Sequence, residues 1–206
     1  MKKLLFISVF ILVAVNLHAA DYYWVGGTGN WSDYASHWAT TSGGLTFHTQ
    51  APALNDNVFF NAASFPSGGA IVTIDVDATC ASMNWTGATN NPQLAGAAAR
   101  MLNIYGSLTL ISEMNYNYQG SVTFRSSSFG NTIAMAGKNY LNHVAFDGIG
   151  SWTLQDAMTL PGHDIYFVNG TLNTNNQDVS MRLFRSEYTT NRTLNLGSST
   201  FTCWYN

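Results

Sequence analysis

One pentapeptide pattern constrains this chain more than any other feature. Gly106-Ser107-Leu108-Thr109-Leu110 recurs as Gly120-Ser121-Val122-Thr123-Phe124 and as Gly150-Ser151-Trp152-Thr153-Leu154. Looser copies follow at Gly170-Thr171-Leu172-Asn173-Thr174 and Gly197-Ser198-Ser199-Thr200-Phe201. The glycine turns the chain, and period-two alternation then sends the apolar third and fifth residues to one face and the hydroxyls to the other. Further short strands are predicted over 132–136, 143–146, 164–168, 179–184 and 192–196. Many short strands between Gly, Asn and Ser turns fit a β-sandwich, a barrel or a β-solenoid. Repetition of one motif favours the solenoid, with each copy stacking on the next to bury a continuous core.

Upstream of the repeats the pattern changes. Trp24, Trp31 and Trp38 are spaced by seven, but Gly26, Gly27, Gly29, Gly43 and Gly44 would cost a helix about 1 kcal/mol each, so compact turns pinned by indoles are expected over 22–44. Asn57-Val58-Phe59-Phe60 reads as one strand. Ala70-Ile71-Val72-Thr73-Ile74-Asp75-Val76-Asp77 reads as another, with Val72, Ile74 and Val76 alternating against Thr73, Asp75 and Asp77. The Ala-rich stretch 94–100 suits a single helical turn. The N-terminus carries Lys2 and Lys3, an apolar run over 4–15 and small residues at Ala19 and Ala20. This is the three-part form of a secretory signal peptide, too short to span a bilayer. The expected division is a signal peptide over 1–20 and one domain over 21–206, with an N-terminal cap region (21–55) followed by rungs (56–206).

The segment Trp24-Val25-Gly26-Gly27-Thr28-Gly29-Asn30-Trp31-Ser32-Asp33, continued by His37-Trp38 and Asp56-Asn57-Val58-Phe59-Phe60, resembles the start of β-helical modules in large surface proteins of Bacteroidetes-type bacteria, adhesin-like and type IX-secreted. It is more loosely similar to autotransporter passenger repeats. The resemblance implies a right-handed parallel β-helix with an aromatic cap, acting as a surface adhesin or structural stalk, and it carries no catalytic residue across. Such proteins are longer and end in a sorting domain. A chain stopping at Asn206 therefore reads as a piece of a larger one.

Without Lys2 and Lys3, six basic side chains face eleven acidic ones. That balance excludes a phosphate-neutralising surface, so neither nucleic acid nor an anionic membrane is expected as partner. Cys80 and Cys203 would lie several rungs apart in a solenoid, beyond the roughly 5.5 Å Cα separation of a disulfide, so two unpaired thiols are expected. No histidine pair has zinc-ligand spacing. No cofactor is implied beyond a weak Ca²⁺ site at Asp75 and Asp77, read as neighbours on one strand face; the plainer reading is the wet side of an amphipathic strand. Asp147, Asp156 and Asp164 could stack in the same way in neighbouring rungs.

The enzymatic alternative is a polysaccharide lyase or hydrolase, which needs paired carboxyls or a base with cations. Arg182 and Arg185, three apart on one predicted strand, would face opposite ways, and no catalytic group stands out. For binding, Trp85, Tyr116, Tyr118 and Tyr188 sit in turn-like contexts. They either present rings to a glycan or protein ligand, or staple loops to the core. The expected protein is a secreted or surface-displayed, non-catalytic β-solenoid. The alternative is an extracellular carbohydrate-binding module or a polysaccharide-degrading β-helix.

Overall fold

A computed structural model of the chain describes residues 19–204. The expected export signal falls almost wholly outside them. Among the described residues, no helix is long and apolar enough to cross a membrane.

The chain winds as a β-solenoid of about seven turns. One side is a nine-stranded sheet, the next a six-stranded sheet. The third side is a four-stranded sheet along the early coils and a three-stranded sheet along the late ones. Asp21–Trp24, Asn57–Phe59, Met83–Asn84, Leu108–Thr109, Asn131–Ala134, Ser151–Leu154, Gly170–Asn173 and Arg192–Asn195 stack in parallel along the nine-stranded side. The only antiparallel strand of the sheets described is Trp38–Ala39, which borders Asp21–Trp24 at the N-terminal end. Parallel coils of one chain, not two packed antiparallel sheets, therefore form the core. The segment 21–55, expected as a cap, already supplies the first coil.

Register follows the apolar alternation. On the six-stranded side Ala78, Leu102, Val122, Val144 and Ile165 form one inward column, and Cys80, Ile104, Phe124, Phe146 and Phe167 form a second. All are buried. Each such side chain contributes about 1.5–3 kcal/mol when fully removed from water. Each packs within its own coil, as Phe146 does on Trp152, and against the coils above and below, so stability accumulates coil by coil.

Two of the pentapeptide copies stack directly in register, Ser151 on Thr171 and Trp152 on Leu172, but the others do not stack on the next copy in sequence. Three lie on the nine-stranded side and one, Ser121–Phe124, on the six-stranded side. The fifth leads into Phe201–Cys203 of the three-stranded sheet. The motif starts a straight side wherever a corner ends. Its serine caps a neighbouring coil: Ser107 N donates to Ser82 Oγ at 3.1 Å, and Thr132 N donates to Ser107 Oγ at 2.9 Å, each across 25 residues. Its glycine is required by close approach, since a Cβ on Gly150 would lie 2.2 Å from Ser128 O.

The stretch 94–100 is not helical. Gln93–Gly96 is a strand between Ile71–Ile74 and Asn115–Tyr118, because Leu94 fills the core column shared with Val72 and Tyr116. At the N-terminal end Trp24 and Trp31 meet Trp38 edge-on, each at 4.9 Å between centroids. Trp24 Nε1 donates to Gly27 O and Trp38 Nε1 to Trp31 O. His37 stacks on Trp24 and bonds Val25 O through Nδ1. A four-residue helical turn, Tyr34–His37, is the one α-helix among the described residues.

Candidate functional site

The edge between the six-stranded and nine-stranded sides varies in corner length, and that variation shapes its surface. Corners 81–82, 105–107, 147–150 and 168–169 are short, whereas 125–130 and 186–191 each run six residues. The segment entering Asn57–Phe59 carries Leu54 outward. These three raised segments recur every third strand, about 14 Å apart at the usual strand spacing. Between them lie two troughs. The first, about 450 Å³, is lined by Leu54, Asn55, Ala81, Tyr105, Ser127 and Ser128. The second, about 440 Å³, is lined by Ile149, Asn169, Thr171, Thr190, Asn191 and Thr193. No lining residue of either trough carries a charge.

Phe129 stands on the ridge between them with 77 % of its surface exposed, and Ile149 on the next coil is 64 % exposed. The ridge is rigidly pinned. Gly150 N donates to Ser126 O at 2.9 Å, Ser128 N to Ser126 Oγ at 3.0 Å, and Gly130 N to Ser151 Oγ at 2.8 Å. A large apolar side chain held in water by a loop bonded on both sides of it is preorganised for contact, at little entropic cost. The far wall is fixed by Arg192, whose Nη2 donates to Ser186 O and Tyr188 O.

The structure divides the four aromatics singled out from the sequence. Trp85 is fully buried, stacked on Phe60 at 3.9 Å and near Phe65. Its expected exposure is corrected because it points inward at the end of a short straight side. Tyr118 is also buried: its ring fills the space left by Gly96, and its hydroxyl donates to Arg100 O at 2.9 Å. Tyr116 is partly buried against Tyr118 and Tyr140, and burial raises its phenol pKa. Tyr188 alone belongs to the trough edge, on the 186–191 wall beside Arg192. Phe129, Ile149 and Tyr105 were missed. Their cue is a glycine directly after an apolar residue at a corner, a pattern that marks a turn without showing which side chain it leaves exposed.

Asp75 and Asp77 do not share a strand face. The strand ends at Ile74, and the two carboxylates diverge in the turn that follows, so Val76 is exposed as well. Asp75 accepts from Ser32 N at 3.1 Å and Ser32 Oγ at 2.5 Å, while Asp77 accepts from Met101 N at 3.0 Å. Among the described residues no group of three or more His, Cys, Asp or Glu gathers at one point.

A second polar constellation lies on the six-stranded side. Asp164, fully buried, accepts from Arg182 and from Arg185. The expectation that these arginines diverge fails because the chain turns between Met181 and Phe184, bringing both guanidinium groups to one carboxylate. Arg182 hydrogen bonding holds the Asp164 carboxyl at about 2, against the opposing effect of burial and with the help of Arg185. His143 Nδ1 accepts from Asp164 N at 2.9 Å, which places its neutral-state proton on Nε2. With its carboxylate locked in ion pairs, this cluster holds the late coils together. Asp147 instead pairs with Arg125 and Asp156 caps Met135 N, so the three aspartates have separate partners. Cys80 is buried and Cys203 exposed, and both are free, as expected. No protein-family model matches the chain, and no curated protein or solved structure matches it significantly.

Proposed function

We propose that this is an exported, adhesin-like display protein, a non-catalytic rod that engages its ligand along the corner between its two largest sheets. The observation that carries the reading is Phe129, 77 % exposed on a corner loop whose backbone is bonded to the coil above. Exposed apolar groups rimmed by polar ones mark interaction sites, and here Leu54, Phe129 and Ile149 lie along one edge. The stacked coils supply rigidity, since a solenoid transmits position from coil to coil. The N-terminal resemblance to surface modules supports the same role.

A printed array of glycans and extracellular-matrix proteins, probed with the wild type and with a Phe129→Ser, Ile149→Ser double variant, tests it. Retention on at least one class of spot is expected, weakened at least about tenfold, or 1.4 kcal/mol, in a variant of unchanged melting temperature. Release of new reducing or unsaturated ends from any polymer would sink the display reading, as would retention indifferent to both substitutions.

A further inference from the structure

We infer that the two troughs work as one bipartite site for a linear, uncharged polysaccharide; this rests on the corner being the ligand-binding edge. The lining excludes charged ligands first. Neither trough offers a cation to a carboxylate or sulfate, or an anion to a basic chain. Arg125 pairs with Asp147 at 3.5 Å and Glu187 with Arg185 at 3.8 Å, while Arg192 behind the far wall is engaged by Ser186, Tyr188 and Thr190.

What the lining does offer is mixed. Amides at Asn55 and Asn191 and hydroxyls at Ser127 and Thr193 present both donors and acceptors, the complement of sugar hydroxyls that are themselves both, whereas the Thr190 hydroxyl is engaged by Val168 O and Arg192. Tyr105 and Phe129 add ring faces for the apolar face of a pyranose. A peptide fits less well. Strand addition needs a run of free backbone groups, and the ridge breaks that run by using alternate carbonyls within the fold: Ser126 O accepts from Gly150 N, and Ser128 O from Ser151 N.

The spacing then selects a repeating chain. Two troughs of nearly equal volume, about 450 and 440 Å³, sit three strand spacings apart, about 14 Å, with Phe129 between them. A polymer that repeats along its length places like groups in both, and engaging the second becomes an intramolecular step.

Titration of the purified protein with neutral gluco-, manno-, xylo- and galacto-oligosaccharides, from disaccharide to octasaccharide, tests the inference. For at least one series, affinity should rise about a hundredfold once the chain is long enough to cross Phe129. Ser127→Arg or Thr193→Arg, each at an exposed position in a different trough, should return the octasaccharide to the short-chain affinity without lowering the melting temperature. Length-independent affinity, preference for uronate-bearing or sulfated chains, or displacement by an unstructured peptide would overturn it. So would failure to bind any neutral chain by a protein still retained on the array. In that last case the corner keeps its role and only the polysaccharide assignment falls.

Discussion

Asp164 and Arg182 meet through two parallel hydrogen bonds, Nε to Oδ1 at 2.7 Å and Nη2 to Oδ2 at 2.8 Å, and Arg185 Nε adds a third to Oδ2 at 2.8 Å. The carboxylate is fully buried while its arginine partners keep roughly two fifths and one third of their side-chain surface in water. This geometry ties Asp164, before Ile165–Phe167, to the following coil.

Asp164→Ala leaves two guanidinium groups without their shared acceptor, and should destabilise the protein by about 3 kcal/mol. Urea unfolding at neutral pH measures it. The wild type should itself weaken in acid. Its carboxyl titrates at about 2 in the fold and about 3.9 in the unfolded chain. The stability contributed, about 2 kcal/mol, is present above pH 4 and lost as pH falls toward 2. His163 acts in the same direction at milder pH. Burial, then His143 and Arg182, lower its pKa against the pull of Asp164, so the unfolded chain takes up the proton first as pH drops below about 6.5. A pH series of melting temperatures should therefore decline in two stages, and the lower one should disappear in Asp164→Ala.

Gly96 and Tyr118 predict a compensating pair. A Cβ on Gly96 would lie 2.7 Å from the Tyr118 ring and 2.9 Å from Ile74 O. Gly96→Ala should cost about 1–3 kcal/mol by overpacking. Adding Tyr118→Leu should recover part of that loss, through relief of the ring contact alone. Additive losses in denaturant melts would show that the glycine answers only to the backbone.

Trp85 bears on folding, not on ligand. Trp85→Ala removes a ring stacked on Phe60 in the core and should cost about 3–5 kcal/mol. The fraction that remains folded should bind ligand as the wild type does. Phe129→Ser should show the converse, with stability within about 0.5 kcal/mol of wild type and binding reduced. Paired calorimetry and array measurements separate the two.

Thiol chemistry should distinguish the cysteines. Cys203 is exposed, whereas Cys80 is buried and burial raises its thiol pKa. An aromatic disulfide reagent should react with one thiol per chain in the native state and with two in denaturant. Rapid native labelling of Cys80 would show that the column it shares with Ile104 opens.

Much of this architecture is legible in short stretches of sequence. The alternation in Ser151-Trp152-Thr153-Leu154 places Trp152 and Leu154 inward, as found, because a strand has only two faces. Gly-rich spacing around Trp24, Trp31 and Trp38 rules out a heptad, and the indoles indeed interlock around turns. Where the reading failed, a neighbour outside the local window decided the outcome. Val76 continues the alternation of Val72 and Ile74, yet the strand stops at Ile74 to turn the corner. Arg182 and Arg185 diverge on a straight strand and converge across a bend. Trp85 and Phe129 both follow turn-like residues. Only the coils around them make one a core ring and the other a ridge.

The amino-acid sequence by itself determined that the chain forms short strands with one apolar face, turned at glycine corners, because alternation and the absence of a Cβ are local properties. Tertiary structure alone decided which strand lies on which. Parallel stacking joins residues about 25 apart, and pentapeptide copies alike in sequence are assigned to different sides. It decided the functional edge as well. The troughs exist because long corners return every third coil, a relation among segments that no single segment encodes.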